Sequence, residues 1–283
     1  MILELRYSRA EKLQDDIYSF TFINGEETCF SLDILREMNI FLDYLKEVSK
    51  RENKTIYYLT QGKLDTGIFN LGGDLALFKK LAEDKNLQKI QEYGYQCVKL
   101  IHRNLHMYQH NVIGIAIING EARGGGFEAA LSFERTVGVK NIKVSLPEYM
   151  MGFFPGMGAF EMLSRKVGYA KTKNIIMENI NFTTDKLYED GVIDALYDSY
   201  DDALRGVLKY IHLIKRNPNV FFALKKMEER ENDIGYEALK NSVELWAEVV
   251  YNLKPIHLRK IEKILTFQNR QKKNNEGLLS KSY

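Results

Sequence analysis

The sequence lacks most of the features that mark secreted, membrane-spanning or nucleic-acid-binding proteins. Its 283 residues include only two cysteines, Cys29 and Cys97, too few for a disulfide framework. No apolar run approaches the length of a transmembrane helix, and the first residues do not resemble a signal peptide. The net charge of +2 is too close to neutral to favour nucleic acid or an anionic membrane. We therefore expect a cytoplasmic protein.

Several catalytic signatures are also absent. There is no G-x-S-x-G nucleophile elbow and no P-loop, and the glycines from Gly67 to Gly73 do not form a dinucleotide-binding fingerprint. His102, His106 and His110 recur at helical spacing, but no carboxylate motif accompanies them, so we interpret them as helix-surface residues. The sequence predicts neither a metal nor a cofactor.

The composition is that of an ordinary globular protein. Hydrophobic residues make up 45% of the chain and charged residues 28%, which is enough apolar material for a large core.

The most informative stretch is a triplet of glycines, Gly124 to Gly126. It follows an apolar run at residues 112–118 that reads as a buried strand, and it precedes a short helix-favouring segment. A strand, a glycine turn and a helix start present free backbone N–H groups to an anion or a polarised oxygen. Glu128 falls in the first turn of that helix, beside the N–H groups.

A second turn of the same kind lies earlier, where Phe69-Asn70-Leu71-Gly72-Gly73-Asp74 leads into another helix. Two strand–turn–helix units side by side in a parallel sheet can direct two N–H groups to one place. Two convergent donors are what an enolate or a tetrahedral oxyanion requires. The pair of turns therefore predicts an oxyanion-binding site.

A second glutamate, Glu148, follows about twenty residues after the glycine triplet, in Leu146-Pro147-Glu148. Two carboxyl groups beside paired N–H donors suggest acid–base chemistry on a carbonyl compound, with burial and like charge pushing their pKa values apart. A thioester suits such a site, because its α-proton is more acidic than that of an ester.

These motifs, in this order and spacing, resemble the crotonase (enoyl-CoA hydratase/isomerase) superfamily. The stretches at residues 69–78, 124–132 and 154–159 are most similar to the diffusible-signal-factor synthases of bacterial quorum sensing. The resemblance implies an α/β fold, a crotonase-like spiral of ββα units with a helical C-terminal region that completes trimers or pairs of trimers.

The resemblance also implies roles for individual residues. Glu128 and Glu148 would be the catalytic pair, and the N–H of Gly125 with that of Leu71 or Gly72 would form the oxyanion hole. The residues expected to bind substrate are glycines of the turns and apolar candidates for an acyl tunnel: Gly124, Met150, Met151, Phe153, Phe154 and Gly156.

The implied reaction is dehydration of a 3-hydroxyacyl chain on acyl carrier protein to a cis-2-enoyl chain, followed by release of the free fatty acid. A sensor kinase would be the regulatory partner. Two alternatives stay open: an enoyl-CoA hydratase of fatty-acid metabolism that acts on acyl-CoA, and a crotonase-fold protein that binds without catalysis.

One residue departs from the pattern expected of the family. Arg123 stands directly before the glycine triplet, where a small or apolar residue is expected. Because of Arg123, the resemblance does not identify the substrate, although it still implies the same class of reaction.

The sequence as a whole predicts two regions. Residues 1–198 would form the crotonase-fold core with N-terminal strands, and residues 199–283 would form a helical region for oligomerisation and active-site closure. The apolar faces of the helices in the second region, including that of Trp246, are wider than a surface helix needs. We expect them to pack against a second layer of the same chain or against another subunit of a closed oligomer.

Overall fold

Two β-sheets organise the computed structural model, which describes residues 2–23, 28–178 and 181–266. The strands of the larger sheet, in spatial order, are β1 (Ser8–Gln14), β2 (Ile17–Phe22), β3 (Ile56–Gly62), β5 (Val112–Ile118), β7 (Arg135–Val139) and β10 (Ala195–Tyr197). Those of the smaller sheet are β4 (Ile68–Asn70), β6 (Glu121–Arg123), β8 (Lys143–Ser145) and β9 (Phe182–Thr183).

Helices cover these sheets and continue to the end of the described chain. They are α1 (Leu32–Glu52), α2 (Leu75–Glu83), α3 (Leu87–His106), α4 (Gly125–Leu131), α5 (Ala159–Val167), α6 (Tyr169–Glu178), α7 (Thr184–Glu189), α8 (Tyr200–Arg216), α9 (Pro218–Asn232) and α10 (Tyr236–Tyr251). Residues 255–266 are also helical. Short 3₁₀ turns span Met107–His110 and Pro147–Met151.

The larger sheet is parallel except where β1 meets β2. Its central strand β5 reads VIGIAII, and every residue of it is buried. A continuous apolar strand is typical of a parallel sheet with both faces covered. One face packs against α8, and the other belongs to the main core that includes α1 and α3. The predicted α/β class with a helical C-terminal region is thereby confirmed.

The smaller sheet brings together the chain segments that carry the predicted site residues. Strand β3 of the larger sheet leads into β4, and β5 leads into β6, and the two short strands then pair in parallel. Strand β6 also pairs in parallel with β8, so that Arg123 lies opposite Ser145. Because parallel strands end at the same edge, the segments that follow these three strands come together there.

The helices after residue 199 have different surroundings. Helix α8 packs on the larger sheet, and α10 packs against α3, where Leu239, Val243 and Trp246 are buried within the chain. Helix α9 has no buried residue. The end of the predicted C-terminal region, residues 267–283, lies outside the described residues. Within the described chain, no helix has the length and apolar character needed to span a membrane.

Candidate active site

Gly124, at the start of the glycine triplet, has a backbone conformation that favours glycine. Its φ is +47°, and its N–H donates to the carbonyl of Ser145 at 2.8 Å. A Cβ atom added here would lie 2.1 Å from Oε1 of Glu148. Glycine is therefore required twice, by the left-handed φ and by the close approach of a carboxyl group.

The first predicted carboxyl group, that of Glu128, is buried on α4 and held by backbone. Its Oε1 accepts hydrogen bonds from the N–H of Met157 at 2.8 Å and from that of Ala159 at 3.0 Å. Burial raises the pKa of Glu128 to about 8, and the two N–H donors oppose that rise by stabilising the carboxylate. Residues 157–159 thus do more than connect two elements, since their N–H groups hold this side chain in place.

The second carboxyl group, that of Glu148, is buried but has fewer partners. It lies in the 3₁₀ turn after β8, and among the described residues nothing donates a hydrogen bond to its Oε2. Burial, together with the nearby charge of Glu128, holds the pKa of Glu148 well above its ordinary value. A buried polar atom without a partner is rare in proteins, and it suits an atom whose partner is a substrate or a water.

The difference in hydrogen bonding separates the two carboxyl groups chemically. Glu128 accepts two N–H groups that stabilise its carboxylate, whereas no described residue donates to Oε2 of Glu148, and the charge of Glu128 adds to the rise of the Glu148 pKa. A pair of carboxyl groups whose environments differ in this way can supply one base and one acid at the same pH.

Two backbone N–H groups lie beside the carboxyl groups. Within the described chain the N–H of Gly125, at the start of α4, and the N–H of Gly73 have no acceptor. A Cβ built on Gly125 would lie 3.4 Å from the nitrogen of Gly73, so the two turns are in close contact. These are the donors that can share one oxyanion.

The structure corrects the predicted second donor. The N–H of Leu71 donates to the carbonyl of Thr28 at 2.7 Å, and the N–H of Gly72 donates to Oδ1 of Asn70 at 2.8 Å. Neither is free for a substrate. The N–H of Gly73, the next residue, is the one without an acceptor in the described chain.

Space for a substrate has an inner and an outer part. The inner cavity, of about 20 Å³, is lined by Gly73, Gly125, Gly156 and both glutamates. That volume holds about one water molecule. The outer pocket, of about 220 Å³, shares Gly73 and Glu148 with the inner cavity and opens beyond them.

The outer pocket contains most of the predicted substrate-binding residues. Gly124, Met150, Met151 and Phe153 line it, and Gly156 lines the inner cavity. Phe154 is half-buried and lines neither space. The outer pocket is mainly apolar, because Leu71, Leu75, Phe78 and Ile264 complete its wall.

Sequence reasoning missed the residues that close the inner cavity from α2, α3 and α10. Phe78, Tyr93, Cys97 and Trp246 line it, and the Phe78 and Trp246 rings lie 5.2 Å apart between centroids. Helical periodicity marks each of them as buried. It does not say that the three helices meet at the carboxyl groups.

Arg123 lies at the wall of the outer pocket and is paired within its own strand. Its Nε and Nη2 donate to Oε1 of Glu121 at 2.9 and 2.7 Å. The positive charge of Arg123 is thus paired with the carboxylate of Glu121 at the wall of the outer pocket.

Comparison with known proteins agrees with this geometry. The model of the enoyl-CoA hydratase/isomerase family matches residues 17–275. The crystal structure of an enoyl-CoA hydratase from Bacillus halodurans covers 92% of this chain and all of its own, with a TM-score of 0.74 and 23% identity. That likeness places the fold among the crotonases.

Two curated relatives share part of the sequence. The short-chain-enoyl-CoA hydratase of Clostridium acetobutylicum is 27% identical over 166 residues, 59% of each chain. The peroxisomal multifunctional protein MFP2 of Arabidopsis thaliana is 28% identical over 182 residues, which are 64% of this chain and 24% of that larger protein. Since the family model covers most of its length, the chain belongs to the enoyl-CoA hydratase/isomerase family.

Proposed function

We propose that this protein catalyses reversible addition of water to a 2-enoyl thioester, with Glu128 and Glu148 as its acid–base pair. The observation that carries the proposal is the asymmetry of these two buried carboxyl groups beside the N–H groups of Gly73 and Gly125, neither of which has an acceptor among the described residues. The names of relatives that are enoyl-CoA hydratases support a CoA thioester as substrate.

Each step of the reaction has a group in the site. The thioester oxygen accepts from the N–H of Gly73 and of Gly125, which stabilise the enolate. The carboxylate of Glu128 takes a proton from a water molecule in the inner cavity, and the hydroxide formed adds to C3. The carboxylic acid of Glu148 then gives its proton to C2. Dehydration runs the same steps in reverse.

The outer pocket fits the apolar parts of such a substrate. Its apolar wall of Leu71, Leu75, Phe78 and Ile264 meets the catalytic centre at Gly73 and Glu148. A chain lying there reaches the carboxyl groups without exposing them to bulk water, and exclusion of water strengthens the hydrogen bonds at the oxyanion.

A second candidate rests on the sequence motifs at residues 69–78 and 154–159. It is dehydration of 3-hydroxyacyl carrier protein with release of a cis-2-enoyl acid, the signal-synthase reaction. The thioesterase step and the sensor-kinase partner of this second candidate remain predictions. For either candidate, assembly into a trimer or a pair of trimers, a region boundary at residue 198 and a cytoplasmic location also remain predictions.

One assay separates these candidates. Purified protein is incubated with crotonyl-CoA and, separately, with 3-hydroxyacyl carrier protein, and the products are identified by mass. Hydration without free acid supports the first candidate, and release of free enoic acid supports the second. Glu128→Ala and Glu148→Ala should abolish turnover of the preferred substrate, whereas Glu189→Gln, which changes an exposed side chain, should not. Full activity in both alanine variants would refute the site.

A further inference from the structure

Residues 28–30 run beside the segment that carries the Gly73 donor. The N–H of Leu71 donates to the carbonyl of Thr28, and the N–H of Phe30 donates to the carbonyl of Gly72, each at 2.7 Å. A trans peptide points its carbonyl and its N–H in opposite directions. Because the Gly72 carbonyl faces Phe30, the N–H of Gly73 in the same peptide is directed away from residues 28–30.

A parallel backbone bridge pairs Phe30 with Gly73, and one side-chain hydroxyl adds two hydrogen bonds to that link. Tyr93, on α3, donates its O–H to the carbonyl of Phe30 at 2.6 Å and accepts the N–H of Asp74 at 3.2 Å. The side chain is 4% exposed, and its ring packs edge-on against Phe78 with centroids 4.9 Å apart. The hydroxyl is therefore held in place and bonded on both sides.

Of the four N–H donors at residues 71–74, Gly73 is thus the one for which the described part of the chain offers no acceptor. The N–H groups of Leu71, Gly72 and Asp74 all have acceptors. Glycine has the loosest backbone of any residue, so the direction of its N–H depends on how firmly its neighbours are held. Phe30 is hydrogen-bonded to Gly72, the residue before Gly73. The Tyr93 hydroxyl is hydrogen-bonded to Phe30 and to Asp74, the residue after Gly73.

We propose that Tyr93 is a positioning residue for the oxyanion hole, acting through Phe30 and Asp74 to aim the Gly73 N–H at the thioester oxygen. The inference rests on the proposed function. The Tyr93 ring lines the inner cavity, but both hydrogen bonds of its hydroxyl go to the backbone of Phe30 and Asp74 and none to a reacting atom, so the hydroxyl sets the angle of a donor. No sequence motif marks it, because α3 is far from the glycine turns along the chain.

The test is Tyr93→Phe, which keeps the ring and removes the hydroxyl. Loss of a whole oxyanion donor lowers kcat by about 10²–10³. A misdirected donor should lower kcat for crotonyl-CoA hydration by about tenfold, with KM changed less than twofold. Tyr95→Phe is the matched control, since Tyr95 lies on the same helix and its hydroxyl donates to Glu244, away from residues 70–74.

A spectroscopic measurement separates positioning from a merely structural role. Butyryl-CoA labelled with ¹³C at the thioester carbonyl is saturated and cannot be hydrated, so its bound carbonyl stretch reports the hydrogen bonds alone. We expect a shift to lower frequency on binding to the wild type and to Tyr95→Phe, and a smaller shift in Tyr93→Phe. Should Tyr93→Phe fail to fold, Asn70→Ala releases the Gly72 N–H of the same segment and should also reduce the shift.

The outcomes distinguish this inference from the proposed function. A wild-type shift and rate retained in Tyr93→Phe overturn the role of Tyr93 alone. A lower rate with an unchanged shift also overturns it, because the donor is then still aimed. A wild type that neither hydrates crotonyl-CoA nor shifts the bound carbonyl overturns the proposed function and this inference together.

Discussion

Glu148 occupies the space that a side chain at Gly124 would need. A Cβ at residue 124 would lie 2.1 Å from Oε1 of Glu148, and the φ of +47° disfavours any other residue. We expect Gly124→Ala to displace the carboxyl group of Glu148 and to reduce kcat at least 100-fold, as loss of a general acid does. Steady-state kinetics on the preferred thioester measure the effect.

A substitution at a second glycine serves as the control for the effect of backbone strain alone. Gly191 also has a positive φ, of +72°, but a Cβ there meets nothing within 4 Å. Gly191→Ala should lower the free energy of unfolding by about 1–3 kcal/mol and leave kcat unchanged. Equal losses of kcat in the two variants would show that strain, and not the displaced carboxyl group, explains Gly124→Ala.

The pH dependence of the rate follows from the two raised pKa values. Glu128 acts as base only when ionised, and burial raises its pKa to about 8, so kcat/KM should rise about tenfold per unit as pH increases towards 8. Glu148 must stay protonated to act as the acid, and burial with the nearby charge of Glu128 raises its pKa, so the rate should decline again on the alkaline side. A profile that is flat between pH 6 and pH 8 would contradict the assignment of Glu128 as base.

Protein stability should change with pH in the opposite sense. Between pH 4.5, the ordinary pKa of a glutamic acid, and pH 8, the folded protein keeps a proton on Glu128 that the unfolded chain releases. Glu128 alone therefore lowers the free energy of unfolding by up to about 1.4 kcal/mol per pH unit over this window, and Glu148, whose pKa is also raised, adds to the fall. Chemical denaturation of the wild type at several pH values measures the slope.

The same slope identifies the group responsible. Glu128→Gln keeps an oxygen that accepts the N–H groups of Met157 and Ala159 but cannot ionise, so its unfolding free energy should depend less on pH. Glu189→Gln, at an exposed position, should keep the wild-type slope. A slope unchanged in Glu128→Gln would place the proton elsewhere.

The sequence located the two glutamates because each belongs to a short local pattern. The glycine triplet sets a turn and Glu128 follows in the next helix, and parallel strands then bring Gly124 and Glu148 together. The α/β class followed in the same way from apolar strands such as β5. These features depend on residues close in sequence or on general rules of sheet packing.

The residue proposed as the second oxyanion donor, Gly73, could not be found in this way. Whether Leu71, Gly72 or Gly73 has a free N–H depends on hydrogen bonds to Thr28 and to the side chain of Asn70. Such pairing is decided by tertiary contacts. Trp246 illustrates the same limit: its helix does carry a wide apolar face, but the ring packs on Phe78 of the same chain.

Oligomerisation remains a prediction, and α9 carries one exposed apolar row on which it can be tested. This helix has no buried residue, and Val220, Leu224 and Met227 are each about 60% exposed at helical spacing. Apolar rows of this kind are common at subunit contacts. We expect light scattering of the wild type to give three or six times the chain mass of 32.9 kDa. Leu224→Glu should reduce that mass, whereas Leu64→Glu, equally exposed at 60%, should not. A monomer mass for the wild type at micromolar concentration would refute the prediction.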